Sequence, residues 1–347
     1  MVNKTILFSF IIPCYNAAGT LERVVQSIYA DGNDTDEYEV ILVINGCTDN
    51  TLELAQMLQK KYNMNLRIAE SDKGVSKARN EGIRQAHGKW IAFLDADDML
   101  AESAMRCLLD DGTHVTADLI LYGHRKGNET IHILEGREKK QLCEDNELDK
   151  AKLKMISNPT RYMQVWAKLF RKEVIDRNAI LFHEQMKLAE DSDFMLRYLR
   201  YCEKILFHDE IVYEYSLNEQ STVRTYDGKK VQEYIYSMKE SSKGMQDESP
   251  AIQGAFEKYV LMHLNIAMVR EVFCKQNKAS FTDKVRKMRE VSNELPFAAY
   301  IKNVKMKECT SVRMIPILCL KLRWDLFAGM IYNIRANQNS KREKGSI

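Results

Sequence analysis

The chain has 347 residues, 45% of them apolar, and a formal net charge of +2. That length accommodates a catalytic domain plus an appended module, and so small a charge excludes a global field suited to nucleic acid. The eight cysteines form no CxxC pair, which argues against zinc and against a disulfide framework.

Leu7 to Ile12 is a short apolar run stopped by Pro13, the pattern of a buried strand. Asn16, Gly19 and Thr20 read as the turn and cap before a helix in which Leu21, Val24, Val25 and Ile28 recur at helical spacing. Val40 to Ile44 is a second buried strand, followed by the Asn45-Gly46 turn and a helix carrying Leu52, Leu54 and Leu58. Leu66 to Ala69 is a third. Gly74 then precedes a helix from about Ser76 to Ala86, which Ser76 can cap. Trp90 to Leu94 is the fourth strand. Buried strands alternating with helices predict an α/β fold with a doubly wound, mostly parallel sheet.

Ligands of such sheets sit outside the carboxyl ends of the strands. Pro13 to Asn16, Asn45 to Asp49, Ser71 to Gly74 and Asp95 to Asp98 are therefore expected to converge on one crevice. Alternate residues of an extended segment point the same way, so Asp95 and Asp97 can face one hard divalent cation that completes its shell with phosphate oxygens. Asp98 reads equally well as a turn former. Gly74 lets the backbone approach a ligand closely. Arg79, one turn into the following helix, can reach a phosphate or fix the acidic loop; a solvated helix face with an Arg–Glu pair is the competing reading.

Four segments together resemble the family-2 glycosyltransferases of GT-A fold: Phe10 to Asn16, Asn45 to Thr51, Gly74 to Gly82 and Phe93 to Asp98. A fifth, weaker match runs through Val165 to Phe170 and Phe182 to Phe194. The resemblance implies an inverting transferase that passes a sugar from a nucleotide-sugar, usually a UDP-sugar, to a hydroxyl of a glycan or lipid-linked acceptor in bacterial surface polysaccharide synthesis. It implies a nucleotide base near Pro13, Tyr15 and Asn45, and a ribose near Asp95. Asn16, Asp72, Gly74, Arg79 and Ala96 complete the donor set. Asp97 would hold Mg²⁺ or Mn²⁺, Asp191 would be the catalytic base, and Glu190 and Trp166 would face the acceptor. The chain departs from the family at Ile44 and Asn45, where aspartates are common. Asn45 can still donate and accept a hydrogen bond, whereas Ile44 cannot.

A nucleotidyltransferase is disfavoured because Cys14 to Gly19 holds no basic residue, and a dehydrogenase because no G-x-G-x-x-G follows the first strand. A non-catalytic nucleotide- or sugar-binding module is the remaining alternative.

Residues 1–225 are assigned to the transferase domain, with 1–100 as the nucleotide-binding half and 101–225 as the acceptor half. Short strands are expected at Leu119 to Tyr122, Ile131 to Leu134 and Ile211 to Tyr215, and a strand-like Lys204 to Phe207 leads to His208, which reads as a satisfied strand-end histidine or a phosphate or metal contact. Residues 226–347 read as helical. Their tail from Ser311 mixes apolar and aromatic residues with Arg313, Lys321, Arg323 and Arg335, and ends in a basic stretch, Lys341 to Lys344, expected to be disordered. That pattern suits an interfacial helix on an anionic leaflet, or equally a helix packed on the catalytic domain. No secretory leader is read, and no run reaches the ~20 apolar residues of a membrane-spanning helix. The expected location is cytoplasmic, at or near the inner face of the membrane.

Overall fold

A computed structural model describes residues 6–30, 37–62, 65–216, 226–306 and 311–345, with side chains given as far as residue 340. The chain divides into two compact units, one of residues 1–185 and 190–218, the other of 186–189 and 219–347. The expected boundary at residue 225 lies outside the described residues.

The first unit opens with β1 (Phe8–Cys14), α1 (Leu21–Tyr29), β2 (Tyr38–Ile44), α2 (Thr51–Lys61), β3 (Leu66–Glu70), α3 (Val75–Gln85) and β4 (Trp90–Phe93). β1 pairs in parallel with β2 on one side and β4 on the other, and β2 pairs with β3. All seven residues of β1 are buried, as suits a largely apolar strand in a covered parallel sheet; its one polar side chain with a hydroxyl, Ser9, donates to Glu39 Oε1 at 2.6 Å. Close seating of α3 on β1 depends on Gly82, where an added Cβ would stand 2.2 Å from Ile11 Cγ2.

The remaining elements of this unit are β5 (Met99–Leu100), α4 (Ala104–His114), β6 (Leu119–Lys126), β7 (Glu129–Ile131), β8 (Lys140–Cys143), α5 (Leu148–Ser157), α6 (Pro159–Tyr162), β9 (Lys168–Arg171), α7 (Lys172–Arg177), α8 (Glu190–Leu199) and β10 (Ile205–Tyr215). The sheet order is β3-β2-β1-β4-β9-β6-β10-β5. β9 lies antiparallel between β4 and β6, so the sheet, expected to be mostly parallel, is mixed: parallel across β3-β2-β1-β4 and between β6 and β10, antiparallel at its other pairings. Two sequence expectations shift here. The segments at Lys204 to Phe207 and Ile211 to Tyr215 are one long strand with register shifts between them. The strand expected at Ile131 to Leu134 ends at Ile131, because the Ile133 and Leu134 N–H groups donate to the Asp209 carboxylate instead of to a neighbouring strand.

The second unit is helical: α9 (Lys230–Ser241), α10 (Pro250–Ala267), a π-helical turn at Met268–Val272, α11 (Phe281–Ser292), α12 (Phe297–Asn303), α13 (Ile315–Lys321) and α14 (Asp325–Gly345). Ser280 caps α11 by accepting from Asp283 N at 3.1 Å. α14 carries helical backbone through Gly345, where the sequence leads to an expectation of disorder from Lys341; no glycine or proline interrupts the helix between Met330 and Lys344. Among the described residues no helix is long and apolar enough to cross a membrane.

Candidate active site

The acidic loop after β4 is held from several directions. Thr20 donates its hydroxyl to Ala96 O at 2.6 Å, and Arg23 Nη2 donates to Asp97 O at 2.7 Å. Thr20 therefore spends its side chain on this loop and makes no side-chain cap on α1. Asp98 is buried and accepts from Tyr213 OH at 2.6 Å and Ser216 N at 2.7 Å. Burial, then the Asp95 charge, pushes its pKa up to about 7 against those bonds. Asp98 thus anchors the loop from below, while Asp95 and Asp97 are half-buried beside it. Only the triple-aspartate pattern hinted at this; nothing in the sequence pointed to Tyr213, Thr20 or Arg23.

Arg79 lies at the centre. Its side chain is 4% exposed, and Nη2 donates to Asp95 Oδ1 at 3.2 Å while Nη1 donates to Asp191 Oδ1 at 2.6 Å. Glu190 Oε1 is 3.6 Å from Nη1, and the guanidinium lies 5.2 Å from the Phe182 ring centre. Burial opposes its charge, but Asp191, Asp95 and Glu190 more than offset that and hold its pKa above the usual value. Helix α3 begins at Val75, behind Gly74 at φ 139°. Ser76 therefore sits inside the first turn and is not the cap; its hydroxyl is buried without a protein partner.

Glu190 and Asp191 open α8, which is fixed by an aromatic cluster: Phe194 stacks on Phe182 at 4.2 Å and meets Phe93 and Phe170 edge-on. Burial pushes both carboxyls up, Glu190 to about 7, with the Asp191 charge adding to it and Arg79 opposing. Lys168, on β9, is buried, which lowers its pKa to about 7 against the pull of Asp191; its Nζ donates to Trp166 O at 3.3 Å. Sequence reading passed over this lysine, although a cation beside Trp166 was legible.

The donor-side residues form a second group. Asn45 is buried and its Oδ1 accepts from Gly74 N at 3.5 Å. Tyr15 is exposed, with Lys73 Nζ 2.7 Å from its hydroxyl. Asn16 Oδ1 accepts from Thr48 N at 2.8 Å. Pro13 lies in register with Val43 at the end of β1. A cavity of about 510 Å³ opens at the ends of β2 and β3, lined among others by Ile44, Gly46, Asp49 and Ser71. Asp72 is largely exposed and paired with Lys77 at 2.8 Å.

Trp166 stacks on Tyr213 at 4.7 Å and meets His124 edge-on at 4.6 Å, so it is tied to the acidic loop through the Tyr213–Asp98 bond. His208 is not at this site: its Nδ1 lies 2.5 Å from Asp111 Oδ2 on α4. Cys107 Sγ, Asp111 and His208 form the one metal-ligand-like trio among the described residues, but Asp111 already accepts from Lys140 and Tyr122.

Asp95 and Asp97 supply hard carboxylate oxygens at one strand end, a donor set suited to Mg²⁺ or Mn²⁺ and unsuited to softer metals. An ordered acidic loop beyond a parallel strand, next to a charged cluster on a facing helix, lies here on a GT-A fold. Residues 9–177, just under half of the chain, match the family model described as Glycosyl transferase family 2. "Uncharacterized glycosyltransferase EpsJ" of Bacillus subtilis is 30% identical over 218 residues, 62% of each chain. The poly(ribitol-phosphate) beta-N-acetylglucosaminyltransferase TarP of Staphylococcus aureus is 30% identical over 55% of this chain and 57% of its own. The chain thus spans less than two thirds of these relatives' lengths. S. aureus TarS 1–349, solved in complex with UDP-GlcNAc, shares the fold at TM-score 0.66 and 18% identity, covering 96% of this chain and 92% of that one.

Proposed function

We propose that the protein is an inverting glycosyltransferase that moves a sugar from a UDP-sugar to a hydroxyl of a glycan or lipid-linked acceptor in bacterial surface polysaccharide assembly. The observation that carries this reading is the Arg79 guanidinium, which joins the donor-side Asp95 to Asp191. Solved TarS with UDP-GlcNAc supports the UDP-sugar by likeness, and the name of TarP, a poly(ribitol-phosphate) beta-N-acetylglucosaminyltransferase, supports a surface-polymer hydroxyl as acceptor.

In this reading Tyr15 and Asn45 bound the pocket for the base, and Asp95 meets the ribose. Gly74, Asn16, Ala96 and Asp72 line the remaining donor contacts. Asp97 would hold Mg²⁺ or Mn²⁺, which supplies neutralising charge to the departing diphosphate. Asp191 accepts the proton of the acceptor hydroxyl; that oxygen bonds to the anomeric carbon as the bond to the nucleoside diphosphate breaks, and configuration inverts. Glu190 and Trp166 orient the acceptor. The work is done at the inner face of the cytoplasmic membrane, with the C-terminal tail in contact with lipid.

The test is thermal unfolding with UDP, GDP, CDP and dTDP, each with and without Mn²⁺, on wild type and Asp97→Ala. A midpoint raised by UDP only with Mn²⁺, and not in the variant, is expected because a ligand of the folded state stabilises by mass action. No response to any nucleotide in folded protein would sink the reading.

A further inference from the structure

Two features of the helical unit meet at residues 322–325. The first is a cavity of about 400 Å³ whose lining includes Arg289, Lys302, Lys321 and Arg323 against a single acid, Asp325. Asp325 accepts from Arg289 Nε at 2.7 Å. Lys321 Nζ is fixed on the carbonyls of Lys302 and Val304, and Arg323 Nη1 reaches Asn293 Oδ1 at 3.3 Å. Arg323 sits at φ 61°, in the left-handed region that L side chains seldom occupy. The chain bends there to set this cation at the cavity.

The second is the outer face of α14 and the residue before it. Trp324, Phe327, Met330 and Ile334 recur at helical spacing, and each is more than half exposed. Ala328, Tyr332 and Ala336 occupy the opposite, buried face. Between Ser311 and Gly345 the sequence holds seven Lys and Arg against two acids, a net +5, while the whole chain is only +2.

We propose that the cavity receives the phosphate of an anionic phosphoglyceride headgroup while Trp324, Phe327, Met330 and Ile334 enter the adjoining acyl boundary. This deepens, and rests on, the reading that the tail touches lipid. Charge selects the occupant: an anionic leaflet complements a +5 segment, whereas a second copy would bring two such segments together. Apolar side chains beside a cluster of cations match the chemistry of a lipid interface, with an oily layer directly under its phosphates.

The test is co-sedimentation of the full chain with vesicles of phosphatidylcholine alone, or of equal parts phosphatidylcholine and phosphatidylglycerol. Wild type is expected to pellet with the anionic vesicles. The pair Arg289→Gln/Arg323→Gln removes two charges from the cavity, and Arg313→Gln/Arg335→Gln removes two outside it. Generic attraction would weaken both pairs about equally, by roughly fivefold per charge; the cavity predicts a distinctly larger loss in the first. Arg323→Gly removes the charge while suiting the positive φ, so it keeps the test valid if the double variant folds poorly. Equal losses overturn the cavity and leave the membrane contact standing. Wild type that pellets with no vesicle overturns both. Inorganic phosphate that displaces the protein from anionic vesicles at low millimolar levels would assign a free-anion site instead, and a dimer dissociated by Phe327→Ser, without vesicle binding, would assign the stripe to a second copy.

Discussion

Arg79 Nη1 donates to Asp191 Oδ1 across 2.6 Å, joining two residues 112 positions apart in sequence. The same guanidinium reaches Asp95, so in the ligand-free protein one buried cation balances carboxylates from both sides of the site. Replacing it with a shorter neutral chain leaves Asp95, Glu190 and Asp191 facing each other. Arg79→Met is expected to destabilise the fold by about 3 kcal/mol, the scale for breaking one partner out of a buried ion pair. Urea unfolding reads that loss directly; an unchanged midpoint would mean that the bridge contributes nothing.

Asp191→Asn keeps the size and the contact with Arg79 but removes the proton acceptor. Turnover should fall by at least about 100-fold, the usual contribution of a positioned base. Donor-induced thermal stabilisation should persist. Full transfer activity in this variant would remove Asp191 from its role.

The pH dependence follows from burial of the same pair. Glu190 is pushed up from 4.5 to about 7, and Asp191 rises with it. A carboxyl with a raised pKa favours the protonated fold, so stability of the ligand-free protein should decline as pH rises across that window. Activity should move the other way, since a base works only after losing its proton. Glu190→Gln is expected to shift the acid limb of the kcat/KM profile downward, because one of two crowded negative charges is gone.

Gly82→Ala tests the seat of α3. Its new Cβ would stand 2.2 Å from Ile11 Cγ2, so the helix must lift or Ile11 must leave its rotamer. A loss of about 1–3 kcal/mol is expected from such overpacking. Because Arg79 rides one turn earlier on the helix, turnover should drop beyond what the unfolded fraction explains.

Asp111→Asn probes the other charged cluster. It would leave His208 and Lys140 without their carboxylate, costing about 1.5–3 kcal/mol as for a hydrogen bond to a charged group. Turnover per folded molecule should stay unchanged, since neither residue belongs to the acidic loop.

The strand-and-helix alternation of the first hundred residues was legible because each strand is buried on both faces and each helix keeps one apolar stripe. Asp95, Asp97 and Arg79 could be picked out for the same reason: their polarity interrupts a pattern that burial would otherwise keep apolar. β9 was not legible as a strand. Lys168-Leu-Phe-Arg171 is four residues long with charges at both ends, and only its neighbours on either side turn it into a sheet member. Thr20 misled for a related reason: a threonine before a helix signals a cap, and the pull of Ala96 O, 76 residues away, has no local trace. Arg323 and Trp324 were legible as a cation followed by an apolar ring, but the left-handed backbone at Arg323 that turns the chain there appears only in three dimensions.

The bonds from Tyr213 and Ser216 to Asp98 bear on how such a site can be inherited. The segment that carries the recognisable motifs is not a portable cassette, because its decisive loop is buttoned by the last strand of the same unit. Grafting residues 1–100 onto a foreign partner would transfer the signature and leave its geometry behind. Recombination between relatives should therefore succeed only where the exchanged piece brings its own equivalent of residues 213–216.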